Sequence, residues 1–405
     1  MRSGKGVVRE QSRIAEARPG GSRRRWFVLA ALIVLALSGF ACSSVRYVSQ
    51  SLTGGARILL DREPIHRLLQ RDDLDARLRT QLEAVERIRA FAEAELGLPV
   101  GKAYGAYVET GRRYVVWNVV AAPADSVVPR TWCFPIAGCV AYRGYFREEH
   151  ARRYAERIAA DGWDVSVGGV TAYSTLGWFA DPVLDTFAFL PEVDLAGLIF
   201  HELAHRRLYV PGDTAFNESF AGFVERLGEG LYVEAQGPGG TERFGADALT
   251  RRALLRQRSE VFTDLVLGAR SCLEQVYAAE TSDASKADQK QRIFDRLRSE
   301  YEAVRAEWVE ETPDGPLWDA WFERELNNAH VASVGSYTIW IDAFTSLYEQ
   351  TSDLPTFFDG VSALAALDAG ERRAALEGLA PARERRSFSC PSAASTAAPS
   401  DASSR

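Results

Sequence analysis

Two of the five histidines in this 405-residue chain stand four positions apart, at His201 and His205, within the run Leu-Ile-Phe-His-Glu-Leu-Ala-His-Arg-Arg-Leu from Leu198 to Leu208. This spacing limits the fold more than any other feature. Leu198, Ile199, Leu203 and Ala204 recur at helical intervals, and on a helix positions i and i+4 share one face, about 5–6 Å apart. Two imidazoles so placed reach one divalent ion at roughly 2.0–2.1 Å. Without a partner, polar rings on a buried helix are costly. Glu202 projects near the same face but is too displaced to ligate; it is placed to take a proton from a metal-bound water and pass it on. The alternative is a packed helix that merely contains these residues.

A catalytic zinc site keeps three protein ligands and one open position, so a third ligand is expected close by. After a loop with Pro211, Gly212 and Asp213, residues 215–228 read as a second helix whose apolar face is Phe216, Phe220, Phe223 and Leu227. Glu218 on this helix can project back toward the histidines. Glu225 is the rival: nineteen residues separate it from His205, against twelve for Glu218. Asp213 reads as a turn residue beside Gly212, with orientation of a zinc histidine as its other possible role.

His-Glu-x-x-His is the pattern of zinc peptidases. Asn217-Glu218-Ser219-Phe220-Ala221 is similar to the Asn-Glu-x-Phe-Ala segment of aminopeptidase N-like zinc enzymes, whose glutamate is the third zinc ligand and is followed by a second glutamate seven residues on, as Glu225 follows here. The local context favours Glu218 over Glu225. Arg206 departs from the pattern, which usually has an uncharged residue there.

From Cys42-Ser43-Ser44 to about residue 380, the chain resembles a proteobacterial family of predicted zinc aminopeptidases of the gluzincin type. The residues that carry the resemblance are Trp132-Cys133-Phe134-Pro135 with Gly138-Cys139, Ala172 to Phe179 with Asp181-Pro182, His201 to His205 with Gly212 to Ala221, and Leu326-Asn327-Asn328-Ala329. The resemblance implies one Zn²⁺ on His201, His205 and Glu218, with Glu202 as general base and a peptide as substrate. In aminopeptidase N-like enzymes a tyrosine downstream of the zinc helices holds the oxyanion. Tyr337 is the first choice here and His330 the second, seven positions apart on an expected late helix. Val165 to Ser174, with Gly168 and Gly169, reads as an edge strand for substrate, or equally as core. Asp181 is the carboxylate nearest to that segment that is able to meet an α-ammonium. An envelope endopeptidase or amidase with the same site, or a non-catalytic zinc-binding lipoprotein, remains the alternative.

Elsewhere the pattern predicts an α+β fold: a small strand-rich N-terminal part, then a mostly helical metallopeptidase body. Helix is expected over 43–98, strands over 103–121 and 163–171, and helices over 148–161, 194–208, 246–280, 286–311, 317–350 and 353–377. The division expected is 1–41 as signal peptide, 42–193 as helix plus strand-rich subdomain, 194–386 as zinc-binding catalytic subdomain, and 387–405 as a disordered tail of Ser, Ala and Pro. No repeat of 20–50 residues is visible.

The first 41 residues carry eight basic and two acidic residues, and the rest carry 40 and 53. An acidic body excludes nucleic acid as partner, which needs a basic stripe. Arg23-Arg24-Arg25, then the apolar run Trp26 to Leu37, read as a secretory signal, too short to span a bilayer. Gly39-Phe40-Ala41-Cys42 resembles a bacterial lipobox, which implies a lipid on Cys42 and a membrane-anchored lipoprotein on the periplasmic side of the envelope. Cys133 and Cys139, six apart around Pro135 and Gly138, are expected to form a local disulfide in an oxidising compartment, with free thiols or a metal pair as alternatives. Cys272 and Cys390 have no evident mates.

Overall fold

The computed structural model describes residues 58–134, 138–171, 180–237, 247–312, 317–334, 339–351, 353–381 and 386–391, together with Tyr47, Gln50, Gly54, Gly55, Phe244 and Gly315. The chain divides into two compact units, Met1–Thr53 and Gly54–Arg405. Only Tyr47 and Gln50 are described in the first, so the expected signal sequence and Cys42 lie outside the described residues. Among the described residues no helix is long and apolar enough to cross a membrane.

The fold of the second unit is mixed α+β, with strands mostly in the N-terminal half and a helical body. In chain order its elements begin with β1 (Glu63–Pro64), α1 (Ile65–Leu68), α2 (Ala76–Ala94), β2 (Ala106–Val108) and β3 (Val116–Pro123). There follow β4 (Trp132–Phe134), β5 (Gly138–Val140), β6 (Arg143–Tyr145), α3 (Glu148–Ala160), β7 (Trp163–Val170), β8 (Val183–Leu184) and α4 (Asp185–Ala188). The body is α5 (Glu192–Arg207), α6 (Thr214–Glu234), α7 (Ala248–Ala278), α8 (Asp283–Glu311), α9 (Asp319–Phe322), α10 (Asn328–Ser333), α11 (Ile341–Glu349), α12 (Leu354–Ala366) and α13 (Ala369–Leu379).

β3 pairs antiparallel with β7, from Val116 opposite Val170 to Pro123 opposite Trp163, and with β6 on its other edge. β2 pairs antiparallel with β1 and parallel with β8. Gly111, between β2 and β3, has φ +62°, a conformation that favours glycine; the strands it joins enter different sheets. β4 and β5 set Cys133 opposite Cys139, and the two are bonded.

The helix expected over 43–98 is interrupted. Asp75 caps a new one, its carboxylate accepting from the Leu78 N–H at 2.9 Å, and Leu82, Val85, Ile88 and Ala92 form its buried stripe. The long helix expected over 317–350 breaks as well. The Asn327 side chain accepts from the N–H groups of Ala329 and His330 and starts α10, which ends at Ser333. The helix that carries His330 therefore ends at Ser333, and residue 337 lies outside the described residues.

One hydrophobic cluster gathers Leu82, Val85, Ile88, Val183, Leu195, Ile199, Phe200, Phe216, Phe220, Phe344 and Phe357. It crosses the expected boundary at residue 193, so α5 and α6 are packed by residues from both sides of it. Each fully buried phenylalanine contributes about 1.5–3 kcal/mol by transfer. Two glycines let α5 and α6 approach: a Cβ on Gly197 would lie 2.1 Å from the Glu229 carboxylate, and one on Gly228 would lie 2.5 Å from the Phe200 ring. A second cluster joins α7 and α8 through Phe262, Leu265, Leu273, Phe294, Leu297 and Tyr301.

The C-terminal stretch corrects two expectations. Cys272 and Cys390 are mates, bonded across 118 residues with Cα atoms 5.5 Å apart. Residues 386–391 are not a loose tail: Phe388 packs on the second cluster over Gly268, and the Arg386 N–H donates to Asp264 at 3.2 Å. A composition of Ser, Ala and Pro hid a segment whose order comes from one cysteine and one phenylalanine.

Candidate functional site

Helix α5 is buried almost all round through Val193, Leu195, Ala196, Ile199, Phe200, Leu203 and Ala204. Glu192 and Asp194 lie in its first turn and His205, Arg206 and Arg207 in its last, which suits the helix dipole at both ends. Rigid burial fixes the one polar edge. His201 and His205 stand with ring centroids 4.9 Å apart.

Helix α6 is started by Asp213, whose carboxylate accepts from the Phe216 N–H at 3.0 Å and also pairs with Arg372 at 2.9 Å. Asp213 is thus a capping residue, paired with Arg372. Asn217 ties its side chain to both backbone groups of Val210, each at 2.8 Å. That clamp fixes the loop between the helices and the register at which Glu218 meets α5.

Nε2 of His201 lies 3.3 Å from Oε2 of Glu218, and Nε2 of His205 lies 3.7 Å from the same oxygen. One ligand atom from each residue falls within 4.8 Å of the others. Tetrahedral ligands at about 2.1 Å from a zinc ion stand about 3.4 Å apart, so the three side chains fit a divalent metal. Glu225 is on the opposite ring edge, its Oε2 3.1 Å from Nδ1 of His201. Its other oxygen accepts from Arg252 at 2.5 Å.

The electrostatics agree with the geometry. Burial disfavours charge on His201, but the carboxylates of Glu218, Glu225 and Glu202 outweigh it and raise its pKa from 6.5 to about 10. Burial likewise opposes ionisation of Glu218, and the two imidazoles overcome this and hold its pKa down at about 2. The cluster calls for positive charge at its centre, as a metal site does. His205 is buried, and its Nδ1 has no hydrogen-bond partner among the described residues.

Glu202 is half-buried. Near it runs the segment ending at Tyr104, held by Arg206, whose Nε donates to the Pro99 carbonyl at 3.3 Å. Tyr104 is buried and has φ +55°, the one non-glycine residue with positive φ among those described. This conformation costs about 1–2 kcal/mol. Its N–H donates to the Asp181 carbonyl at 2.7 Å. Burial raises the pKa of its hydroxyl well above the usual 10, and the charges of Glu202 and then Asp181 add to that. Asp181 itself is buried. A cavity of about 220 Å³ adjoins the cluster, lined by His201, Glu218, Glu225, Arg226, Arg252 and Arg256 among others.

Tyr337 and residues 172–179 lie outside the described residues. Just past Tyr337, the Trp340 N–H donates to Ser219 Oγ at 3.1 Å, beside Glu218, and Ile341 lines the cavity. His330, the second oxyanion choice, is buried with Nδ1 2.9 Å from Asn327 and its ring edge-on to Trp321. On β7, Gly169 receives the Tyr114 ring, where a Cβ would lie 2.3 Å away, and the Val165 carbonyl accepts from Asn327. β7 stands at the edge of its sheet, with Gly169 covered by a ring and the Val165 carbonyl taken by a hydrogen bond.

Sequence reasoning missed Tyr104, Glu229 and Arg252. Arg252 and Arg256 are four apart on α7, as Glu225 and Glu229 are on α6. That matching rhythm is visible in the sequence, but nothing there says the two helices meet.

Fold and site together define an α+β protein whose two central helices converge two histidines and a carboxylate beside a second glutamate. The sequence profile of the family described as "Putative aminopeptidase" matches residues 46–376, and the chain belongs to that family. Membership points to a peptidase acting on peptides. No curated protein and no solved structure matches the chain.

Proposed function

We propose that the protein is a zinc-dependent peptidase that cleaves at peptide N-termini. The observation that carries this reading is the convergence of His201 Nε2, His205 Nε2 and Glu218 Oε2 with Glu202 one position along the same helix. A divalent metal on these three ligands supplies Lewis acidity for the scissile carbonyl and for the attacking water. Glu202 accepts the proton that the water loses on attack, and it delivers that proton to the nitrogen of the leaving amine as the C–N bond breaks. His201, fixed from behind by Glu225, and His205, fixed by burial, keep the ligand atoms aimed at one point. Tyr337 is the proposed donor to the tetrahedral oxyanion. Cys42 is the proposed lipid attachment point, holding the enzyme on the periplasmic side of the envelope.

The test is purification of the chain from residue 43 onward, with measurement of bound metal and of products from a mixed peptide library, beside Glu202→Gln. One equivalent of zinc with N-terminal trimming, lost in the variant without loss of metal, is the expected result. Internal cuts would make it an endopeptidase or amidase, and absence of zinc would overturn the site. Incorporation of labelled fatty acid by the full chain, lost in Cys42→Ser, tests the anchor.

A further inference from the structure

Behind the metal ligands, α6 and α7 meet through a ladder of opposite charges. Glu225 and Glu229 stand one turn apart on α6, and Arg252 and Arg256 one turn apart on α7. Nη2 of Arg252 bridges Oε1 of Glu225 and Oε1 of Glu229, both at 2.5 Å. Its Nε also faces Asp194 on α5 at 3.5 Å. Arg256 pairs with the other oxygen of Glu229, which is fully buried. Only one of the two arginines therefore touches the carboxylate that touches His201.

We propose that Arg252 is a positioning residue of the metal centre, holding the Glu225 carboxylate against Nδ1 of His201 and out of reach of the metal. This rests on the reading of His201 as a ligand. A carboxylate in a metal site has two ways to act: accept a hydrogen bond from a ligand histidine, or ligate directly. Glu225 sits 3.1 Å from the ring nitrogen, and the distance is set by what grips its second oxygen. Arginine suits this place because its planar fork serves several carboxylates at fixed angles, which a lysine ammonium does not. With Arg252 in place one Glu225 oxygen is spent on the guanidinium and the other on imidazole. Without it, the carboxylate is free to turn away from Nδ1, and His201 loses the hydrogen bond that aims its Nε2 at the metal. Arg252 also ties α7 to α5 and α6 at the site, so the long helix that carries the second hydrophobic cluster is registered on the histidines.

Removing one partner of a buried ion pair destabilises a protein whatever else it does, so stability alone says nothing about positioning. Arg256→Met is the control: it breaks the same ladder at Glu229 and leaves Glu225 gripped. Zinc dissociation constants are measured by chelator competition for the wild type, Arg252→Met, Arg252→Lys and Arg256→Met. Loss of a partner behind a ligand typically weakens metal binding 10–100-fold. The expected result is weakening of about tenfold or more for Arg252→Met, partial recovery in Arg252→Lys, and about twofold or less for Arg256→Met. In the metal-free protein a slowly exchanging Nδ1 proton of His201, observed by NMR, is expected in wild type and Arg256→Met and absent from Arg252→Met. Equal weakening by the two methionine variants, or no weakening by Arg252→Met, overturns the proposal. If the wild type takes up no zinc, the metal reading fails by itself, and a His201 proton unchanged in Arg252→Met then overturns the positioning role separately.

Discussion

The imidazole of His201 is held between two carboxylates, with Glu218 3.3 Å from Nε2 and Glu225 3.1 Å from Nδ1. The two glutamates are seven residues apart on one helix, and the ring separates their work. Only the Glu218 oxygen also approaches His205, at 3.7 Å. On the proposed reading, Glu218→Gln removes a ligand and is expected to abolish stoichiometric zinc. Glu225→Gln keeps the ligand set and is expected to weaken zinc by about 10–100-fold, the usual effect of losing a partner behind a ligand. Chelator competition checks both. The reverse order would make Glu225 the ligand.

Acid should weaken the fold through His330. Burial first, then the cations Arg324 and Arg298, lower its pKa from 6.5 to about 4, with Asp164 opposing. The folded state holds the ring neutral while the unfolded chain protonates it near 6.5. Between pH 6.5 and 4 the unfolded state binds more protons, so stability falls as pH falls through that window and this contribution levels off below it. The full penalty is roughly 3 kcal/mol at 1.36 kcal/mol per unit. Urea unfolding at pH 7 and pH 4.5 should show a smaller acid loss for His330→Gln than for wild type. Equal losses would mean that the ring is not held neutral.

The cluster of His201, His205 and Glu218 was legible because its geometry is local. His201 and His205 are set by the spacing on one helix, and Glu218 lies on a helix that follows after a short loop, where the resemblance of its Asn-Glu context, and not spacing, chose it over Glu225. β7 and α3 were legible for the same reason. What failed depends on contacts distant in sequence. Cys390 finds Cys272 across 118 residues, and Arg252 finds Glu225 across a helix junction. The break at Asn327 was hidden because the apolar pattern continues past it, while the cap that starts α10 is made by a single side chain. Tyr104 was invisible since a tyrosine carries no sequence mark of positive φ.

The bond between Cys272 and Cys390 closes a long loop and fastens Phe388 to α7. Closing a loop of this kind typically adds about 2–4 kcal/mol by restricting the unfolded chain. Cys390→Ser is expected to lower the midpoint of guanidinium unfolding accordingly and to expose residues 386–391 to protease, with zinc content unchanged. Thiol counting on the unfolded wild type should find no free thiol at either position before reduction. Free thiols there, or a midpoint indifferent to the substitution, would show that the segment is held by Phe388 alone.

Two glycines on the central helices make opposite predictions for the same substitution. Gly197 lies where α5 crosses Glu229, and an added methyl would stand 2.1 Å from a carboxylate oxygen. That carboxylate has nowhere to go, because Arg252 and Arg256 grip it and it is fully buried. Gly197→Ala must push α5 from α6, and overpacking of this kind costs typically 1–3 kcal/mol; since the displaced helix carries His201, zinc binding should weaken as well. Gly230 is in the interior of α6 with nothing within 4 Å of its added Cβ. There alanine meets no neighbour and gains its helix preference over glycine, about 0.8–1 kcal/mol. Urea unfolding of the two variants should therefore move in opposite directions from wild type. If Gly197→Ala is as stable as Gly230→Ala, the close approach of α5 and α6 over the buried Glu229 is wrong, and with it the packing that aims His201 at Glu218.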